Sequence, residues 1–93
     1  MILPDPELAR DLNRQGAKFL FADIETGLAF CEIAASSDRD KKTRQRNRGN
    51  ARKAYDTVLK LSEKLALTSE EKIVFGEKVA ALKCALQALG EVL

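Results

Sequence analysis

The sequence contains no histidine, and this absence removes several kinds of chemistry at once. Histidine is the usual general base near neutral pH and a common zinc ligand, so catalytic dyads built on it and most zinc sites are excluded. The five glycines stand apart, so no glycine-rich phosphate loop occurs. The Glu-x-x-His motifs of a di-metal helical bundle are also missing. We therefore expect a protein that is not an enzyme and uses no cofactor or metal.

Proline, cysteine and long apolar runs are scarce as well. The prolines are Pro4 and Pro6, and no run approaches the roughly 18 apolar residues that a membrane span requires. The first residues lack the basic and apolar regions of a secretory signal, so we expect a cytoplasmic protein without membrane contact. Cys31 and Cys84 fit no metal or redox spacing, and we interpret both as small buried apolar residues.

What is present favours helix and one domain. The chain has 93 residues, of which 45% are apolar and 32% charged, and it is rich in Ala, Leu, Glu, Lys and Arg. A chain of this size buries only about 60–65% of the surface that its unfolded form exposes, so its core is thin. A partner, or a second copy of the chain, would add stability.

The first helix is predicted over about residues 6–35. Asp5, Pro6 and Glu7 provide an N-cap acceptor, a proline in the first turn and an early acid. Gly16 and Gly27 weaken the helix relative to alanine, and we expect them to allow close approach of another backbone, with a bend at Gly16 as the alternative. At 100° per residue, one apolar stripe contains Ala17, Leu20, Ile24, Leu28, Cys31 and Ala35.

Helix 1 also carries large apolar side chains outside this stripe, at Leu12, Phe19, Phe30 and Ile33. Its apolar arc is then wider than one neighbouring helix can cover. We expect these four residues to form a protein interface, either with a second copy in a homodimer or with a segment of another protein. Asp23 falls among them, and we expect it at the rim of this face.

The second helix is predicted over about residues 38–66, but its beginning is ambiguous. Ser37 with Asp40 is a capping signal, yet no apolar residue lies between Arg39 and Asn50. The basic segment 39–53 is therefore either the solvated start of helix 2 or a loop that ends at Asn50 as the N-cap. Further on, the apolar face is clear, with Ala51, Ala54, Tyr55, Val58, Leu61 and Leu65.

The third helix is predicted over about residues 69–91. Thr68 and Glu71 form a capping box in front of it, and we expect Gly90 to fray its end. Its heptad-like seam contains Phe75, Val79, Leu82, Leu86, Leu89 and Leu93. Together the three segments predict an all-α, antiparallel three-helix bundle that forms a single domain over residues 1–93.

Positive charge is concentrated in the middle of the chain. Residues 1–37 carry three basic and six acidic side chains, residues 38–53 carry eight and two, and residues 54–93 carry five and six. The eight cations could neutralise phosphates, so the alternative hypothesis is a nucleic-acid-binding accessory protein. On a helix they would spread around the circumference, and we expect the arginines to have no buried partner. The eight are Arg39, Lys41, Lys42, Arg44, Arg46, Arg48, Arg52 and Lys53.

Part of helices 1 and 2 resembles a single, degenerate tetratricopeptide-repeat-like helical hairpin. In helix 2 the order small, aromatic, small, leucine is given by Ala51, Tyr55, Val58 and Leu61. In helix 1 the similar positions are Ile24, Gly27, Leu28 and Cys31. The resemblance implies a helical hairpin that binds peptides or proteins.

Overall fold

A computed structural model describes residues 6–37 and 40–93, and the regular structure of these residues is entirely helical. Helix α1 spans Pro6–Ser36, α2 spans Lys41–Lys64 and α3 spans Ser69–Ala88. The predicted all-α, antiparallel three-helix bundle is confirmed, and each helix end lies within one turn of the predicted boundary.

Helices α1 and α2 form an antiparallel hairpin whose register is set by two glycines. Gly16 lies against Leu65, immediately after α2, and Gly27 lies against Ala54 in the middle of α2. An added Cβ at Gly27 would lie 3.2 Å from the Cβ of Ala54 and 3.1 Å from Cδ2 of Leu82. The nearest atoms at both glycines belong to side chains, and at Gly27 one of them is the Cβ of Ala54, which is bonded directly to the backbone of α2.

Helix α3 runs back alongside α1, in the same direction. Lys78 of α3 forms an ion pair with Glu25 in the middle of α1. At the other end, Glu91, just after α3, pairs with Arg48 of α2. The order of the helices is thus up, down, up, with α3 on one side of the α1–α2 hairpin.

The core lies along the inner faces of the three helices. The predicted α1 stripe is buried as far as Cys31, Leu28 is half-buried, and Ala34 completes the stripe in place of the exposed Ala35. The core residues, each less than one-tenth exposed, are Ala17, Leu20, Ile24, Cys31, Ala34, Ala51, Ala54, Val58, Leu82, Leu86 and Leu89. The heptad-like seam of α3 is therefore the face that packs on the hairpin.

Helix α2 begins at Lys41 because Asp40 caps it. The Asp40 carboxylate accepts hydrogen bonds from the backbone N–H groups of Lys42 (3.1 Å) and Thr43 (3.2 Å), and from the Thr43 hydroxyl (2.6 Å). The hydroxyl bond, followed by the Thr43 N–H bond, lowers the pKa of the Asp40 carboxyl. Ser37 does not cap α2, since its hydroxyl donates to the carbonyl of Ile33 at the end of α1. The alternative of a basic loop that ends at Asn50 is wrong.

The ends of α3 follow local sequence rules. Thr68 and Glu71 form the predicted capping box, with bonds of 2.8 and 3.1 Å. Gly90, with φ of 97°, stops the helix: its N–H donates to the carbonyl of Gln87 while that of Glu91 donates to Leu86. This is a Schellman motif, so Gly90 closes α3 and does not fray it.

The two cysteines differ in environment. Cys31 is buried in the core, and burial raises the pKa of its thiol. Cys84 is exposed, because it lies on the face of α3 that points away from the hairpin. The expectation that both are buried is correct for Cys31 and wrong for Cys84.

The molecule is elongated, with extents of 56 × 23 × 18 Å. Its radius of gyration is 15.7 Å, compared with about 12 Å for a compact domain of this length. The 31 residues of α1 alone extend about 46 Å. Two shorter helices can cover only part of the circumference of such a helix, so a long face of α1 stays in contact with solvent.

Candidate interaction surfaces

The basic segment separates into two groups of side chains. Lys41, Lys42, Arg46 and Lys53 are exposed on α2. Arg44, Arg48 and Arg52 are half-buried, and Arg39 lies outside the described residues. The eight candidate nucleic-acid contacts therefore do not act as one cluster.

Arg48 and Arg52 hold the C-terminal segment against α2. Arg48 Nε donates to Glu91 Oε2 over 2.8 Å and its Nη2 lies 2.6 Å from the same oxygen. Arg52 Nη1 lies 3.4 Å from Glu91 Oε1 and donates to the carbonyl of Val92 over 3.2 Å. The hydrogen bond from Arg48 is the main reason that the pKa of the Glu91 carboxyl is lowered. Contrary to our expectation, Arg48 is a structural residue with a partner in the fold.

Most of the remaining exposed cations of α2 form a row that we had not predicted from the sequence. At 100° per residue, five of them lie within an arc of about 40° on α2. These five, which we call the basic row, are Lys42, Arg46, Lys53, Lys60 and Lys64. As expected, the described cations of segment 39–53 spread around the helix, and Arg48 and Arg52 turn towards the C-terminal segment. The row takes Lys42, Arg46 and Lys53 from that segment and continues with Lys60 and Lys64 beyond residue 53.

A second row, of apolar side chains, follows the outer face of α1. Leu8, Leu12, Phe19 and Ile33 are 53%, 59%, 62% and 44% exposed. They lie within an arc of about 60°, which is centred roughly 110° from the buried stripe. We call these four residues the apolar row. Three of them were candidate interface residues, and Leu8, which continues the same spacing by one turn, was missed.

The fourth candidate interface residue, Phe30, lies in the same arc but is only partly accessible. It is half-buried and packs against the core cluster. Asp23 is also half-buried, at the edge of this arc nearest the buried stripe. Phe30 thus connects the apolar row with the core, and Asp23 is the acidic residue on this part of α1.

The two rows face the same side of the molecule. On α1, Glu25 pairs with α3 and Leu28 and Glu32 line the cleft beside α3, and the mean direction of these three residues lies about 140° from the apolar row. On α2, Arg48 and Arg52 turn towards the segment after α3, about 120° from the basic row. Both rows therefore lie on the side of the α1–α2 hairpin that α3 leaves open. The apolar row lies along the α1 shoulder of the groove on that side, and the basic row lies along its α2 shoulder.

Other surface features are smaller or less continuous. Ile73 and Val74 on α3 are exposed, as is Val92 near the C-terminus, but they do not continue the apolar row. A cleft of about 520 Å³ opens where α3 leaves α1. It is lined by Leu28, Cys31, Glu32, Ala35, Arg44, Ala85, Ala88 and Leu89. Burial raises the pKa of the Cys31 thiol, which makes this thiol less reactive.

Two further types of site were searched for over residues 6–37 and 40–93. No group of three or more cysteine or acidic side chains in these segments is arranged to hold a metal ion. No helix within them is both long and apolar enough to cross a membrane.

The chain was compared with protein-family models, with curated proteins and with solved structures. The resemblance of α1 and α2 to a tetratricopeptide-like hairpin stays a prediction. The chain matches no family model, no curated protein and no solved structure in these comparisons.

Proposed function

We propose that this protein is a small, non-enzymatic, protein-interaction module that acts through the outer face of α1. The observation that carries this proposal is the apolar row, in which Leu8, Leu12, Phe19 and Ile33 are each about half exposed. Single exposed leucines are ordinary on protein surfaces, but an aligned set of large apolar side chains is typical of an interface. The row extends about 38 Å along the helix, long enough for a helix or an extended segment to lie along it.

The architecture supports this proposal. A thin core gains stability when a partner covers apolar surface, because burial of apolar area is the main favourable term in association. The similarity of Ala51, Tyr55, Val58 and Leu61 to a helical repeat used in protein binding agrees with it. Both a second copy of the chain and a segment of another cytoplasmic protein fit the row.

A second candidate function is supported by the basic row. Its five exposed cations extend about 33 Å along α2 and could contact successive phosphates of a nucleic acid. The apolar row beside it contains a single aromatic residue with a largely exposed ring, Phe19, which limits base stacking. We therefore rank binding of nucleic acid below binding of protein.

Light scattering of the purified protein at low and high salt tests the proposal. The variant Phe19→Ser/Ile33→Ser disrupts the apolar row, and Ile73→Ser/Val74→Ser is a matched control with similar exposure on α3. We expect association, with itself or with an amphipathic leucine-rich peptide, that persists in high salt and is lost only in the row variant. A monomer that binds no such peptide, and that forms complexes with single-stranded DNA only at low salt, contradicts the proposal.

A further inference from the structure

We infer that the groove between α1 and α2, on the side away from α3, binds an acidic amphipathic helix of another protein. This inference rests on the proposed function and adds the chemistry of the partner. It follows from the combination of the apolar row with the basic row on one side of the hairpin.

The shape of this side favours a helix. Two antiparallel helices have a groove on each side of the pair, and α3 fills one of these grooves with Leu82 and Leu86. The opposite groove is bordered by Phe19, Phe30 and Ile33 of α1. From Leu12 to Ile33 the apolar arc is about 32 Å long, which corresponds to a helix of about 20 residues. Leucine-like side chains spaced by three and four residues would cover it.

The charge of this side favours acidic flanks on that helix. The five cations of the basic row are exposed and line one shoulder of the groove. On α1 the acid next to the groove is Asp23, and on α2 Asp56 pairs with Arg52. A partner with carboxylates beside its apolar stripe would meet lysine and arginine, whereas a basic partner would be repelled.

On its other side, the hairpin already packs against apolar side chains that are accompanied by an acidic residue. Helix α3 buries leucines against the hairpin, and Glu91 just beyond it pairs with Arg48 and Arg52 of α2. A docked acidic helix would repeat the arrangement across the hairpin. A symmetric contact between two copies is a poorer match, since both sides would present the same apolar and basic rows and few acids.

Binding is measured with three blocked peptides of about 21 residues. The first has leucines spaced by three and four residues with glutamates on both flanks. The second has glutamine in place of every glutamate, and the third has the composition of the first in scrambled order. The exposed thiol of Cys84 takes a fluorescent label on α3, away from the groove, while the thiol of Cys31 is buried. Fluorescence anisotropy or intensity then reports binding.

The key variant reverses three charges of the basic row, Lys53→Glu/Lys60→Glu/Lys64→Glu. Its control, Lys18→Glu/Lys72→Glu/Lys83→Glu, changes the net charge equally at exposed positions outside the groove. We expect the wild type to bind the glutamate peptide about tenfold more tightly than the glutamine peptide at low salt. This preference should disappear in the row variant and persist in the control. Phe19→Ser should weaken the binding of both the glutamate and the glutamine peptide.

Four outcomes would overturn the inference, and they separate it from the proposed function. If both helical peptides bind equally and Phe19→Ser weakens both, the apolar interface stands but the acidic partner is wrong. If neither peptide binds and the protein is a dimer that Phe19→Ser dissociates, a second copy covers the face. If Phe19→Ser has no effect on peptide binding, or if the scrambled peptide binds equally well, the contact is not in the groove. If the protein is monomeric and binds no peptide, both the inference and the proposed function fail.

Discussion

At the scale of single residues, the glycines show how packing overrides helix propensity. Gly27 lies in α1, where glycine is less favourable than alanine by about 1 kcal/mol. Its missing Cβ leaves room for Ala54 and Leu82, the first of which is attached directly to the backbone of α2 and has little freedom to move. Gly49 of α2 has no atom within 4 Å of the position of an added Cβ.

The substitutions Gly27→Ala and Gly49→Ala should therefore have opposite effects on stability. Gly49→Ala should stabilise the protein by about 0.5–1 kcal/mol, because it only removes backbone entropy from the unfolded chain. Gly27→Ala also reduces the backbone entropy of the unfolded chain, but it forces α1 and α2 apart. We therefore expect a net loss of stability. Urea denaturation of the two variants measures the difference, and equal stabilisation by both would contradict the close packing at Gly27.

The ion pairs around Glu91 are the other informative residues. Nothing in the local sequence of Arg48 or Arg52 points to a partner, because Glu91 lies about 40 residues further on. Sequence periodicity could not pair them, because the pairing depends on where the Schellman motif at Gly90 directs the chain. Arg48 and Arg52 were therefore candidate nucleic-acid contacts in the sequence, whereas in the fold they make structural contacts.

Arg48→Gln and Glu91→Gln should each destabilise the protein by about 1 kcal/mol, whereas Lys53→Gln on the exposed row should have little effect. The pKa of Glu91 is lowered in the folded state, so its contribution is present above the ordinary carboxyl pKa and is lost as the pH falls through the lowered value. The pKa of Asp40 is also lowered in the folded state, so this carboxyl changes stability with pH in the same direction. Below about pH 5, Glu91→Gln should therefore lose stability less steeply than the wild type. Identical pH profiles would contradict a role for Glu91.

At the scale of elements, helix α2 marks the limit of prediction from sequence. Its second half follows from the spacing of Ala51, Val58 and Leu61, and the capping box of α3 follows from Thr68 and Glu71. Its first half has no apolar periodicity and is fixed instead by Asp40 at the cap and by tertiary contacts. One of these contacts is the ion pair of Arg48 with Glu91, while the buried amide of Asn47 donates to the carbonyl of Thr43 within α2 itself. Local signals thus predicted the helices, and what the sequence left open was whether α2 begins near Asp40 or only at Asn50.

Val58→Ala and Leu82→Ala test the packing of α2 and α3. Both side chains are fully buried, so each truncation should destabilise the protein by about 1–4 kcal/mol. Ile73→Ala, on the exposed face of α3, should change stability by less than about 0.5 kcal/mol. Thermal melting followed by circular dichroism measures all three. A wild-type melting temperature for Leu82→Ala would mean that α3 does not pack on the hairpin.

At the scale of the whole molecule, the open side of the hairpin follows from the lengths of the helices. One helix of 31 residues and two of 24 and 20 cannot bury the full apolar arc of α1. The excess apolar surface was predictable from Leu12, Phe19 and Ile33, because helical spacing alone separates them from the core stripe. The basic row was not predictable from the sequence. Arg48 and Arg52 of the basic segment do not belong to it, whereas Lys60 and Lys64, which lie outside that segment, do.

An amide chemical-shift map of the ¹⁵N-labelled protein, recorded as the protein is concentrated and as the glutamate peptide is added, would locate the interaction surface residue by residue. We predict shifts along the apolar row from Leu8 to Ile33 and along the basic row from Lys42 to Lys64, with Ile73 and Cys84 on α3 unchanged. Shifts concentrated on α3, or in the cleft at Leu28 and Ala88, would contradict the central claim that the open side of the hairpin is the interaction surface.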